Sequence, residues 1–375
     1  MAQRDPAPRR VAQTQKQNSF FGGAAILAAG ILIVKLIGMF YKIPLINIIG
    51  EAGAADFNNA YNIYAVLLTV STAGLPVAVS KLVSEANALD RRNQVRRTFR
   101  LALVLFLALG LVSFLVMFFR ADALAGMMND SKAAAGIRAL APAVVCVGCL
   151  AALRGYSQGH SNMAPTSVSQ IIEALCKLVV GLGLAFWLVK QGKDPDVAAA
   201  GAITGVTVGT VVALAYMVLD FLLSRGREDI RGTDRPDSAG SILANILKIA
   251  VPITLSSSMV GIVTVIDSSL VQGQLQSALD LTEQASRTLY GNYSGALNIY
   301  NLPTSLMAAI TASVIPAVSA ALARRDRRGA ARITGSALRI TALLSFPMGV
   351  GLFVLGTPII RLLFPKLNVA VAGPL

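Results

Sequence analysis

Nine apolar runs constrain the fold of this chain most strongly, because each is near or above the ~20 residues that a bilayer-crossing helix requires. Hydrophobic residues make up 55% of the 375 residues, charged residues only 14%, and the mean hydropathy is +0.65. This composition argues against an ordinary soluble domain and predicts an all-α polytopic membrane protein. The runs cover about 20–43, 58–80, 101–119, 134–153, 164–189, 197–223, 242–270, 290–320 and 333–356.

The distribution of positive charge predicts the orientation of these spans. With the N-terminus inside, the inner segments carry 20 Lys and Arg residues and the outer segments 7, while the remaining six lie within spans. An excess of Lys and Arg on the cytoplasmic side is the rule for membrane proteins, so the N-terminus is predicted to be cytoplasmic. Alternation between loops also argues against a nucleic-acid partner, despite the net charge of +14.

Short motifs recur at an offset of 236 residues. Asn62-Ile63-Tyr64 returns as Asn298-Ile299-Tyr300, and Asp90-Arg91-Arg92 returns as Asp326-Arg327-Arg328. Repeats of this length in a transporter-like chain predict two related lobes with a site between them. The predicted divisions are a disordered cytoplasmic tail at 1–19, a six-helix lobe at 20–223, a cytoplasmic linker at 224–241 and a partial second lobe at 242–375.

The second lobe is predicted to be truncated. The fourth helix of the first lobe begins near Ala134, and its counterpart 236 residues later would begin at residue 370. The second lobe therefore has three predicted helices where the first has six.

Two charges inside an apolar helix are the leading candidate functional residues. Glu173 and Lys177 are four residues apart, so they share one helix face. Ionisable groups at membrane depth are costly and usually line a cavity or meet a partner. A purely structural pairing of Glu173 with Lys177 is the alternative. Lys35 in the first span and Asp267 toward the outer end of the seventh are further candidates, whereas Lys42 is expected to reach the membrane interface.

Motifs for catalysis or metal binding give little support to an enzyme. The sequence has no phosphate-binding loop, nucleophile elbow or zinc-binding His-Glu-x-x-His helix. Cys146 and Cys149 form a C-x-x-C pattern within an apolar span, where helix packing explains it better than redox chemistry. We therefore expect no enzyme activity, cofactor or metal, and expect any active transport to draw on a cation gradient (H⁺ or Na⁺) or the membrane potential.

One glycine pattern predicts close helix packing. Gly201, Gly205 and Gly209 give G-x-x-x-G twice in the sixth span. Small residues at this spacing let two helix backbones approach each other within a membrane.

Two stretches carry a family resemblance. The first comprises Arg154-Gly-Tyr-Ser-Gln-Gly159, Met163-Ala-Pro-Thr166 and Ser169-Gln-Ile-Ile-Glu173; the second comprises Leu289-Tyr-Gly-Asn-Tyr-Ser-Gly295, Leu302-Pro-Thr304 and Val314-Ile-Pro-Ala-Val-Ser319. They resemble stage V sporulation protein B and related polysaccharide biosynthesis proteins. That group belongs to the multidrug/oligosaccharidyl-lipid/polysaccharide exporter superfamily, alongside the lipid II flippases.

The resemblance implies a two-lobed fold like that of the multidrug exporters, normally with fourteen helices. It implies a multi-pass protein of the bacterial cytoplasmic membrane that moves an undecaprenyl-pyrophosphate-linked peptidoglycan or polysaccharide precursor, with membrane lipids around it. Lys35, Lys177 and Arg154 are the implied substrate-binding residues, and Glu173 and Asp267 are candidates for ion coupling or charge pairing. The alternatives are a multidrug or cation antiporter of the same superfamily and a non-transporting scaffold in cell-wall or spore assembly.

Overall fold

Every regular element in the computed structural model is a helix, among the residues that it describes, 8–225, 232–323 and 325–372. A five-residue π-helical segment, Lys177–Gly181, joins two α-helices in one continuous rod. The α-helices are α1 (Pro8–Thr72), α2 (Leu75–Ala88), α3 (Arg92–Phe119), α4 (Ala121–Met127), α5 (Ala133–Gly159), α6 (Ala164–Cys176), α7 (Leu182–Lys190), α8 (Pro195–Arg225), α9 (Ala239–Ser277), α10 (Glu283–Ala323), α11 (Arg327–Leu363) and α12 (Val369–Ala372).

Helix α1 consists of two arms that meet at Gly50. The backbone of Gly50 has φ 73° and ψ −170°, a conformation that suits glycine because it has no Cβ. The chain turns there, so the arms 8–49 and 51–72 run in opposite directions. Residues 8–19 continue the first arm as a helix, where the polar composition predicts a disordered tail.

Within the described ranges, seven helical segments are long and apolar enough to cross a membrane. The first covers Ala29–Ala88 and contains the Gly50 break, so it accounts for two of the nine predicted spans. Six further predicted spans overlap the other segments, and the span predicted at 290–320 lies within α10. Large apolar side chains, such as Phe353 at 91% exposure, face outward, as expected for a surface in contact with lipid.

Successive long helices alternate in direction and define two ends of the bundle. We call the end that holds residues 89–91, 160–163 and 232–238 the linker end. The opposite end, which holds 128–132, 191–194 and 278–282, is the Asp130 end. By the charge distribution, the linker end is expected to be cytoplasmic.

Two lobes meet along α1 and α10. A small apolar cluster joins them, in which Ile46 and Ala54 of the first lobe pack with Ile299 and Phe364 of the second. Beside it, the Nδ2 of Asn58 donates a hydrogen bond to the Oγ of Ser294 at 3.0 Å. These two residues are 236 positions apart, which is the offset of the sequence repeat. Equivalent residues therefore face each other where the lobes meet, as expected near an axis that relates two repeats.

The glycines of α8 hold the π-helical segment close. A Cβ built on Gly205 would lie 2.4 Å from the backbone N and Cα of Gly181, and one built on Gly209 would lie 2.7 Å from the carbonyl oxygen of Glu173. The predicted close packing is confirmed, and its partner is the stretch that carries Glu173 and Lys177.

The described part of the linker is tied to the first lobe. The carboxylate of Asp234 accepts the backbone N–H groups of Asn93 and Gln94, at 2.8 and 2.9 Å, at the start of α3. Asp237 accepts a hydrogen bond from Arg91 at 2.8 Å. The linker is therefore fixed to the first lobe as far as Asp237, and the start of α9 packs into the same lobe, against α2 and α3.

We expect Gly205→Ala to destabilise the protein, because the added methyl group would overlap the backbone of Gly181. Overpacking of this kind typically costs about 1–3 kcal/mol. Thermal unfolding in detergent would measure the loss. Gly183→Ala is the matched control, because a Cβ there meets nothing within 4 Å. Equal unfolding temperatures for Gly205→Ala and the parent protein would contradict this packing.

We expect the docking of the linker to weaken in acid. Burial acts to raise the pKa of Asp234, but the N–H groups of Asn93 and Gln94 outweigh it and leave this pKa below its usual range. A carboxyl whose folded-state pKa is lowered adds stability above its unfolded pKa of about 3.9, and that stability is lost as pH falls through the folded value. Hydrogen-exchange protection of the Asn93 and Gln94 amides should fall accordingly.

At neutral pH, Asp234→Ala should lower this protection about fivefold, the equivalent of the ~1 kcal/mol that a helix cap contributes. Thr233→Ala, at the exposed neighbouring position, should leave it unchanged. Protection that is the same in both variants would show that the carboxylate does not hold the linker.

Candidate functional site

A cavity of about 560 Å³ lies between the lobes, and five charged side chains line it. They are Lys35, Lys42, Arg154, Glu173 and Lys177. The three residues predicted to bind substrate and one of the two predicted to couple or pair charge are thus brought together. The rest of the wall is largely apolar and aromatic, and Asn298 and Asn301 of α10 contribute from the second lobe.

Lys177 opens the π-helical segment and lies between two aromatic rings. Its Nζ is 5.0 Å from the ring centroid of Tyr41 and 4.7 Å from that of Tyr61. Aromatic faces attract a cation without neutralising its charge. Among the described residues Lys177 makes no ion pair, so the alternative in which it pairs with Glu173 is not observed. A π-helical turn is rare and is frequently found at functional sites.

Glu173 is instead paired with Arg154. The Nη2 of Arg154 lies 3.1 Å from the Oε2 of Glu173, and its Nε donates to the Oγ of Ser169 at 3.0 Å. Only 14% of the Arg154 side chain is exposed. The guanidinium is therefore held in one orientation, and its charge is balanced by Glu173.

Lys42 is a cavity residue, although the sequence analysis placed it at the membrane interface. Its Nζ donates to the Oδ1 of Asn58 at 2.7 Å and lies 4.7 Å from the ring centroid of Phe57. Lys35 lies seven residues earlier and is exposed to the same cavity. Positions seven apart share a helix face, so this spacing was the sequence signal that could have found Lys42.

The balance of charge defines what the cavity can hold. Among the described residues, four basic side chains and one carboxylate line it, which is a formal excess of three positive charges. Because Arg154 and Glu173 offset each other, the excess belongs to the three lysines. A partly enclosed site with this balance attracts anions and repels cations.

Asp267 lies outside this site. Its side chain is exposed, and its Oδ2 accepts a hydrogen bond from the hydroxyl of Tyr293 at 3.3 Å. The residues that line the cavity do not include it.

A second charged cluster, which the sequence analysis did not single out, joins the lobes at the Asp130 end. The Nη2 of Arg287 donates to the Oδ1 of Asp56 at 2.6 Å, and its Nε lies 3.2 Å from the Oδ1 of Asp130. The side chains of all three are at most 6% exposed. The available signal was that Arg287 is the one Lys or Arg in the predicted outer segment 271–289.

In the part of the chain that the structure describes, no group of three or more His, Cys, Asp and Glu side chains is placed to hold a metal ion. The three cysteines, Cys146, Cys149 and Cys176, are free.

Solved structures share this fold. A multidrug resistance MATE family transporter of the MOP superfamily, in an inward-facing conformation, aligns with a TM-score of 0.62 at 15% identity, over 92% of this chain and 72% of its own. The outward-facing conformation of such a transporter gives 0.63 at 15% identity, over 95% and 77%. A MOP superfamily transporter from Pyrococcus furiosus, whose binding pocket is described as reversed in polarity, gives 0.62 at 14% identity, over 94% and 76%. At this level of identity the likeness shows the fold alone.

Sequence relatives are found in Bacillus subtilis (strain 168). The uncharacterized membrane protein YabM is 28% identical over 93% of this chain and 65% of its own length, and stage V sporulation protein B is 24% identical over 95% and 68%. The lipid II flippase MurJ is 30% identical over 52% of this chain and 38% of its own length. The chain thus spans about two thirds of the length of the first two relatives.

A family described as polysaccharide biosynthesis protein matches residues 20–322, and a second family of the same description matches 281–367. The first match covers most of the chain and both sides of the cavity. This multi-pass membrane protein therefore belongs to the polysaccharide biosynthesis protein family.

Proposed function

We propose that this protein moves an undecaprenyl-pyrophosphate-linked peptidoglycan or polysaccharide precursor across the bacterial cytoplasmic membrane. The excess of three positive charges in the cavity between the lobes is the observation that carries this proposal. A lipid-linked sugar presents its negative charge at the pyrophosphate. A cavity at membrane depth with unbalanced ammonium groups suits that part of the molecule, because Lys is a strong point-charge partner for phosphate.

The three lysines would have different roles, according to their positions in the cavity. Lys177 and Lys42 lie deep, next to aromatic rings, and would hold the pyrophosphate. Lys35, which is more exposed, would attract it first. Arg154 is engaged by Glu173, so its role is to shape the wall or to offer the guanidinium edge that the pair leaves free.

Transport would proceed by alternating access of the two lobes. The headgroup would enter from the cytoplasm at the linker end, and the lipid tail would remain in the membrane beside the seam of α1 and α10. Movement against a gradient would be coupled to a cation or to the membrane potential. Glu173 is the cavity carboxylate that could exchange a proton, by releasing Arg154.

A multidrug or cation antiporter of the same superfamily is the second candidate. It would share the fold of the multidrug exporters and would require an acidic site. Among the described residues, Glu173 is the one carboxylate of the cavity, and it is already paired with Arg154. A non-transporting scaffold, the third candidate, requires no particular charge in the cavity.

We expect Lys177→Gln and Lys42→Gln each to weaken binding of a fluorescent undecaprenyl-pyrophosphate sugar. A hydrogen bond to a charged group contributes about 1.5–3 kcal/mol, so each loss should be roughly 10- to 100-fold in affinity. Binding to protein in nanodiscs would measure this, and the movement of the same lipid in proteoliposomes would measure transport.

Lys190→Gln serves as the matched control, because this exposed lysine lies on the same helical rod outside the cavity. A cationic dye provides the competing cargo. Dye movement that survives Lys177→Gln but is lost in Glu173→Gln would support the antiporter. Unchanged lipid binding in both lysine variants would overturn the proposed site, and movement of neither cargo would favour the scaffold.

A further inference from the structure

We call the cluster of Arg287, Asp56 and Asp130 the latch. It joins the two lobes beyond one end of the cavity and so closes that end. Along the second arm of α1, Asp56 comes first after the Gly50 turn, Asn58 follows, and Tyr61 and Tyr64 then line the cavity. With a rise of 1.5 Å per residue, the latch lies about 8–12 Å beyond these tyrosines toward the Asp130 end.

Other contacts between the lobes surround the latch. The Nδ2 of Asn129 donates to the carbonyl oxygen of Ser269 at 3.2 Å, and the Nε2 of Gln276 donates to the carbonyl oxygen of Asn129 at 2.9 Å. Glu283 accepts both the backbone N–H and the hydroxyl of Ser131. The structure is thus closed at the Asp130 end, and its lobes cannot separate there without breaking the latch.

The latch has more negative charge and more acceptors than it can satisfy. Two carboxylates face one guanidinium, because the Nε of Arg287 lies 2.8 Å from the Oδ1 of Asp56 and 3.2 Å from the Oδ1 of Asp130. Asn59 is fully buried and donates its Nδ2 to Asp130 at 2.8 Å, while its own Oδ1 has no hydrogen-bond partner in the structure. The cluster therefore lacks a hydrogen-bond donor.

Neighbouring charges do not correct this imbalance. Lys132 is 3.3 Å from Asp196, so that pair is neutral. Glu283 is exposed and adds negative charge beside Asp130. Gln284 accepts a further N–H of Arg287 at 2.7 Å and adds no charge. A buried cluster with a net negative charge is costly.

We propose that Asp56 and Asp130 share one bound proton, which is taken up from water as the lobes close at the Asp130 end and is returned to water as they open. One proton supplies the missing donor and makes the latch neutral: one carboxylate, one carboxylic acid and one guanidinium. This inference assumes the lobe movement of the proposed function. It gives the coupling proton a site separate from the cargo cavity.

The effect of pH on the stability of the closed state has a definite sign. Burial raises the pKa of the Asp130 carboxyl, and its contacts with Asn59 and Arg287 only partly offset this. In an open state, water would return this pKa toward its ordinary value of about 3.9. A group whose pKa is higher in the closed state stabilises that state at low pH and loses this effect as pH rises through the closed-state value. An ordinary ion pair would do the reverse and open in acid.

Distances between spin labels across the Asp130 end can distinguish lobes that close in acid from lobes that open in acid. Ala123→Cys in the first lobe and Ala278→Cys in the second are both exposed positions, introduced after the three native cysteines are replaced by serine. Without any substrate, the short distance should dominate at low pH. As pH rises, the population with a longer distance should increase relative to the population with the short one. The ratio should change by up to about tenfold per pH unit, which is the limit for a single proton.

Asp130→Asn should keep the lobes closed throughout the pH range, because the amide is neutral and can donate. Asp194→Asn is the control and should keep the parent transition, because this exposed carboxylate lies at the same end but outside the contacts that join the lobes there. Thermal unfolding of each variant would confirm that it is folded.

Opening in acid, a distance that does not respond to pH, or loss of the transition in Asp194→Asn would each overturn the proposal. Because no substrate is present, these outcomes are independent of the lipid-binding assay. Failure here with intact, lysine-dependent lipid transport would leave the flippase proposal standing. A pH-dependent latch in a protein that does not bind the lipid would support the shared proton and contradict the proposed lipid cargo.

Discussion

The cost of placing charge in a low-dielectric environment underlies the arrangement of this protein. Most of its charged residues lie in loops at the two ends of the bundle, where water or headgroups can solvate them. The few that lie inside are gathered into two places. One is the cavity, where lysines adjoin aromatic rings, and the other is the latch, where Arg287 meets two aspartates. Both places lie where the lobes meet, so charge is concentrated at the surfaces that would separate and rejoin in the proposed transport.

Small residues make this concentration possible. The glycines of α8 bring the π-helical segment close enough for Glu173 and Lys177 to line the cavity, and Gly50 folds α1 so that both its arms do so. The aromatic rings of Tyr41 and Tyr61 then support Lys177 without neutralising it. The result is a cavity with a net positive charge that the described carboxylates do not neutralise. A charge of this sign suits the anionic lipid that we propose as cargo and disfavours a cationic drug.

The cavity and the latch differ in the sign of the charge that is left unbalanced. The cavity has an excess of cations, which an anionic cargo would balance. The latch has an excess of carboxylate, which a proton would balance. Asn58 lies between them, receives a hydrogen bond from Lys42 and donates one to Ser294 across the lobe boundary. Asn58 is also two residues from Asp56 along α1, so the cargo site and the latch are close neighbours on one helix.

The helical membrane class and the two related lobes could be predicted from the sequence, because helix length, hydropathy and the recurrence of short motifs can be read from it directly. Lys35, Glu173 and Lys177 could be named as candidates because an ionisable residue within an apolar run stands out, and Arg154 because of the family resemblance. The partners of these residues could not be predicted and come from the tertiary structure. It paired Glu173 with Arg154 instead of its helical neighbour, turned Lys42 into the cavity and left Asp267 outside it. It also joined Asp56, Asp130 and Arg287, which lie in separate loops and helix ends. Ion pairs depend on distance in space, and residues 231 positions apart carry no local signal that they will meet.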